Sequence, residues 1–248
     1  MDGVRGTARH LGRPTAEAVL ASVGMALFAF FLNFRTASGL PALAGLILTV
    51  VAFWLALRVG QRPGPLFGFT PATRRGWALT LVGAAVGVGL GLAYRHAWRP
   101  TLFPNGFEWF VLVAVAIGAG EEVLYRGYVQ GRLAAAFGAG VGLGPHAPRR
   151  RRAEPGGGNP RRTWVRITMA VVLAAAAHTV YKAALFVYPP AGIEVAYRFL
   201  VVWTLIGGVA FGALREAAGN VWPAVAAHVA FDIIAYGDSA EAPWWVWG

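Results

Sequence analysis

The chain has 248 residues, 57% of them hydrophobic and only 13% charged, where a soluble domain carries about 25% charged residues; this excludes an ordinary soluble enzyme, a disordered chain, collagen and a coiled coil. Lys+Arg is 22 against Asp+Glu 11, a net charge of +11, but the cations sit between apolar blocks, so the excess points to membrane topology and not to nucleic acid. There is no cysteine, which excludes disulfides, thiol nucleophiles and thiolate metal sites.

About 18–20 apolar residues are needed to cross a hydrocarbon core of roughly 30 Å. Such runs are predicted at about 16–34, 40–57, 77–94, 107–125, 165–187, 199–214 and 221–236. The stretch 127–137 can extend the fourth. The first run has a basic flank (Arg5, Arg9, Arg13) but a long core and no small-x-small cleavage site, so it reads as a retained helix and not a cleaved signal. The third carries Gly83, Gly87 and Gly91, a ridge that lets helices approach closely. Residues 138–163 are rich in Arg, Gly and Pro with no hydrophobic period, which predicts a flexible cytoplasmic loop. Its arginine run, Arg149–Arg152, reads as a positive-inside anchor, with contact to anionic headgroups as the alternative. The expected fold is an all-α polytopic transmembrane helix bundle of about seven (six to eight) spans. It forms one membrane domain over 1–248, encloses a polar intramembrane site, and has a core at 107–236.

The arginines orient the helices. With the N-terminus in the cytoplasm, the inner segments hold Arg5, Arg9, Arg13, Arg58, Arg62, Arg74, Arg75, Arg132, Arg149–Arg152, Arg161, Arg162 and Arg215, and the outer ones Arg35, Arg95, Arg99 and Arg198. Brevity and the lack of a eukaryotic-style targeting signal lean toward a prokaryotic plasma membrane. Lys182 is the sole lysine.

Ionisable groups inside spans are costly and usually functional, and here they form three clusters. Glu121 and Glu122 end the fourth run; Glu122 and Arg126 share a helix face and can pair, while Glu121 points elsewhere and is left free to work. His178 lies inside the fifth run with Lys182 four residues on. His228 and Asp232 share one face of the seventh. Each has a bland alternative: solvated interfacial glutamates, a histidine bonded to a backbone carbonyl, a self-satisfied His–Asp pair. One shared site built from several helices accounts for all of them at once.

A carboxylate beside a histidine can activate water, and a second histidine with a carboxyl group can stabilise an oxyanion. With no cysteine and no serine at hand, water is the expected nucleophile and hydrolysis of a peptide bond in the membrane the expected reaction. A zinc site built from Glu and two His remains open, although no HExxH spacing is present. A non-catalytic immunity or interaction protein and a proton-coupled transporter are the other classes; the transporter predicts inverted halves, which the sequence does not display.

The order Glu121-Glu122-Val-Leu-Tyr-Arg126, then Ala174-Ala-Ala-Ala-His178, then His228-Val-Ala-Phe-Asp232 resembles the CAAX-prenyl protease and bacteriocin-processing family of intramembrane proteases, over about 118–236. The second motif has Ala174 where the family usually has Phe, and the third has Asp where many members have Asn. The resemblance implies a metal-free glutamic endopeptidase with zinc as the runner-up cofactor. In it Glu121 activates water with His178, His228 and Asp232 stabilise the oxyanion, and Glu122 and Arg126 hold the first motif in shape. The implied partners are the bilayer and a membrane-associated protein or peptide: a prenylated protein, a leader peptide or a C-terminal sorting tail. Oligomeric state is not legible. Glu121 near the cytoplasmic end of its span would favour access from the cytoplasm.

Overall fold

The computed structural model describes residues 2–36, 41–58, 64, 67–69, 73–98, 107–137, 160–185, 187 and 197–236. Among them every element is helical: α1 (Asp2–Thr36), α2 (Pro41–Arg58), α3 (Arg74–Trp98), α4 (Phe107–Glu122), a π-helical segment (Val123–Val129), α5 (Gln130–Ala136), α6 (Pro160–Leu185), α7 (Tyr197–Ala218) and α8 (Trp222–Tyr236). Because α4, the π segment and α5 run on without a break, these make seven rods, as the apolar runs predict. Windows long and apolar enough to span a bilayer lie at Gly12–Phe31, Arg74–Ala97, Ile167–Leu185 and Leu200–Ala218. The chain is a helical integral membrane protein. Most of the expected flexible loop, residues 138–159, lies outside the described residues; residues 160–163, expected to belong to it, are the first turn of α6, where Pro160 has no amide hydrogen to waste.

The packing is inverted relative to a soluble protein. Along α1 the small residues Ala18, Ala21 and Ala29 are buried with Met25, while Leu20, Leu27 and Phe31 stand exposed. In α6 Ala170, Ala174 and Ala175 face in, and Met169, Val172 and Leu173 face out. Between helices in lipid no hydrophobic force operates, so small residues that allow close backbone approach take the contacts and bulky ones meet the acyl chains.

The predicted glycine ridge does this work most clearly, for α3 lies along α8. A Cβ at Gly83 would stand 2.3 Å from the Pro223 carbonyl oxygen, one at Gly87 2.0 Å from that of Ala227, and one at Gly91 2.8 Å from Ile234 Cβ. Contacts that short leave no room for any side chain, so the ridge fixes the position of α8. Two further features hold α8 at its ends. Gly219, at φ +69°, closes α7 in the left-handed conformation that glycine adopts freely, and the Asn220 carboxamide oxygen accepts from the Trp222 amide at 3.2 Å. At the other end Arg95 Nη1 donates to the Ile234 carbonyl at 3.0 Å.

Several arginines expected between spans are instead inside. Arg95, Arg132 and Arg215 are buried. Arg132 of α5 donates to Glu17 of α1. Arg215 pairs with Glu216, which also accepts from Gln130 Nε2 at 2.8 Å. A cation that finds a carboxylate or a helix-end carbonyl can be buried at a tolerable cost, and hydropathy alone does not reveal such a partner.

Candidate active site

The site grows from the middle of the α4–π–α5 rod. Glu121 is 14 residues from Phe107 and 15 from Ala136, about 21 Å from either end at the α-helical rise. The pair thus lies midway along a continuous rod and not at the end of a helix closing at about 125; the stretch 127–137 does extend the fourth run. Glu121 and Glu122 close the α-helical part, and all seven residues of the π segment are buried. Runs of i→i+5 bonding recur at functional sites. Here Gly127 accepts the ring of Phe67, to which a Cβ would come within 2.5 Å, so the segment before α3 is wedged against the rod.

Glu121, Glu122 and Arg126 have no exposed surface, and His178 and His228 are 3% and 4% exposed. Glu122 faces two partners: Arg126 Nε at 3.3 Å and His228 Nδ1, which donates to Oε1 at 2.8 Å. Glu121 also faces two: His178 Nε2 is 2.7 Å from Oε2 and Lys182 Nζ is 2.6 Å from Oε1. The second acid is thus held as firmly as the first, which corrects the expectation that Glu121 stands free.

Hydrogen bonding settles the state of His178. Arg126 Nη2 lies 3.1 Å from His178 Nδ1, and a guanidinium can only donate. Nδ1 is therefore the acceptor, and Nε2 carries the proton and donates to Glu121. Both ring nitrogens are committed. The ring is further held by Tyr125, centroid to centroid 4.7 Å, and by Tyr181, stacked at 6.2 Å. These two tyrosines supply the aromatic packing that Ala174 lacks.

His228 is different. With Nδ1 on Glu122, its Nε2 lies 3.6 Å from Glu121 Oε2 and 3.6 Å from Asp232 Oδ2, beyond a hydrogen bond to either. Asp232 is near His228, as their spacing predicts, but Glu122 and not Asp232 orients the ring. Lys182 and Asp232 are less deeply buried than the glutamates and histidines, their side chains keeping 19% and 13% of their surface.

The model of the family described as type II CAAX prenyl endopeptidase, Rce1-like, matches residues 101–234. The chain belongs to this family. No curated protein and no solved structure matches it. Membership in the Rce1-like family makes the chain a membrane-embedded protease of the CAAX type, and a membrane-associated substrate follows from that class. The Rce1-like match spans all three sequence motifs and ends two residues after Asp232.

The sequence-predicted residues Glu121, Glu122, Arg126, His178, His228 and Asp232 of this Rce1-like chain all lie in one cluster. Three members were not assigned a role from the sequence. Lys182 carried a signal, as the sole lysine, set inside an apolar run; Tyr125 and Tyr181 carried none beyond ordinary helix spacing.

Proposed function

We propose that the chain is an intramembrane glutamic endopeptidase that hydrolyses a peptide bond near the end of a membrane-associated protein, with a prenylated C-terminal segment as the leading substrate class. The observation that carries this reading is the pairing of a fully buried carboxylate, Glu121, with one uncommitted imidazole nitrogen, His228 Nε2, 3.6 Å away. Glu121 takes a proton from water, and the resulting hydroxide attacks the scissile carbonyl. His178, with both nitrogens engaged, holds the carboxylate and does not itself act as the base. His228 donates from Nε2 to the oxyanion. Since Nδ1 already donates to Glu122, the donating ring is the doubly protonated form, and Glu121, Glu122 and Asp232 supply its countercharge. When the tetrahedral intermediate collapses, the C–N bond breaks and the proton on Glu121 passes to the leaving amine.

The reading is metal-free. Lys182 Nζ, 2.6 Å from Glu121 Oε1, already supplies the cationic partner that a zinc ion would be for this carboxylate. The N-terminus is placed in the cytoplasm on the arginine distribution.

The test is processing of a prenylated CAAX reporter and of sorting-tailed membrane proteins in cells, comparing wild type with Glu121→Ala, His178→Ala and His228→Ala. Loss of processing in all three is expected, with resistance of the wild-type activity to chelators. Full processing by all three variants overturns the site, and activity lost on chelation and restored by zinc overturns the metal-free form.

A further inference from the structure

Among the polar residues of the bundle, Lys182 stands apart. It is the one lysine beside 21 arginines. Its ammonium is 2.6 Å from Glu121 Oε1, while His178, one turn earlier on α6, takes Oε2. The two α6 side chains therefore grip both oxygens of a carboxylate that belongs to another rod. We infer that Lys182 is a positioning residue of the active site, a third polar arm that fixes the Glu121 carboxylate against His178 and supplies its countercharge. This rests on Glu121 being the base, as proposed above.

Three features argue for a working role beyond burial. A lysine inside an apolar helix is costly, and the other buried cations of the site end on groups that do not react: Arg126 on Glu122 and His178. Among the lysine and arginine side chains of the described residues, Lys182 is the one paired with Glu121 itself. An ammonium is also a compact donor on a flexible stem, where a guanidinium is a rigid planar fork, so it can keep contact with Oε1 while Oε2 exchanges a proton with water. Finally, Lys182 is the more exposed member of the pair, its side chain 19% exposed against 1% for Glu121.

The experiment uses the full chain purified in detergent and a farnesylated CAAX peptide as probe. It measures kcat, KM and unfolding midpoint for wild type, Lys182→Met, Lys182→Arg, Glu121→Gln and the double variant Glu121→Gln/Lys182→Met. For Lys182→Met the expected result is a fall in kcat of about 10- to 100-fold with KM within about twofold, since positioning acts on the reacting geometry. Lys182→Arg is expected to recover part of kcat. The unfolding midpoint drops in Lys182→Met, which leaves Glu121 uncompensated, and returns when Glu121→Gln is added. The proposal is overturned if Lys182→Met keeps kcat within about twofold of wild type, or raises KM alone, or if the two substitutions lower the midpoint additively. The stability cycle reads the Lys182–Glu121 coupling without the probe. An active Glu121→Gln, by contrast, removes the reading of Glu121 as the base, whatever Lys182 does.

Discussion

At Arg126 a guanidinium with no exposed surface serves two residues at once, Glu122 through Nε and His178 through Nη2. Arg126→Met removes one partner of a buried ion pair and leaves the other uncompensated, which costs about 3–5 kcal/mol; a lowered midpoint in chemical or thermal unfolding of the purified protein checks this. Arg126→Lys is expected to rescue little, because one ammonium cannot reproduce the fork that reaches both neighbours. Most site residues were legible at this scale, since ionisable side chains inside apolar runs are few and each invites a question. What spacing cannot supply is the partner across space. Helix geometry pairs His228 with Asp232, yet Glu122, more than a hundred positions earlier in the chain, takes the Nδ1 hydrogen. The same limit hid the role of Lys182 and made Glu121 look free.

The element that places the third motif is the interface between α3 and α8. Gly87→Ala would set a Cβ 2.0 Å from a backbone oxygen of α8, and backbone cannot step aside as a flexible side chain would. Overpacking of this kind costs about 1–3 kcal/mol, and it also shifts His228. A lowered unfolding midpoint with reduced cleavage is expected, while Gly89→Ala, which meets nothing within 4 Å, should leave both unchanged or slightly improved. The ridge was readable as a period of four small residues, though its partner helix was not. The π segment was not readable, because an i→i+5 turn of Val, Leu, Tyr, Arg and Gly keeps the same apolar character as the helix around it. It carries the fourth rod past Arg126 into α5, the extension that the apolar stretch 127–137 allows.

Across the whole molecule, the composition led to a membrane helix bundle, because a chain with so little charge has few other ways to satisfy its backbone in lipid, and the apolar runs gave the seven rods. The +11 charge divides in two. Some arginines are structural, as Arg95, Arg126, Arg132 and Arg215 are buried; those left over carry the topology argument. A chain without cysteine makes that argument easy to check. Single cysteines at Gly3 and Gly156 are expected to react with a membrane-impermeant maleimide only from the cytoplasmic side, and one at Ser239 only from the outside. Labelling of Gly3→Cys from the outside would reverse the orientation.

Cleavage of a prenylated CAAX peptide by purified wild-type protein and by Glu121→Gln, with unfolding followed on the same samples, bears most directly on the chemistry. Removing a general base costs about 10²–10⁴-fold, so Glu121→Gln should lose at least two orders of magnitude in kcat while remaining folded. A folded Glu121→Gln that cleaves within tenfold of wild type would contradict Glu121 as the group that activates water.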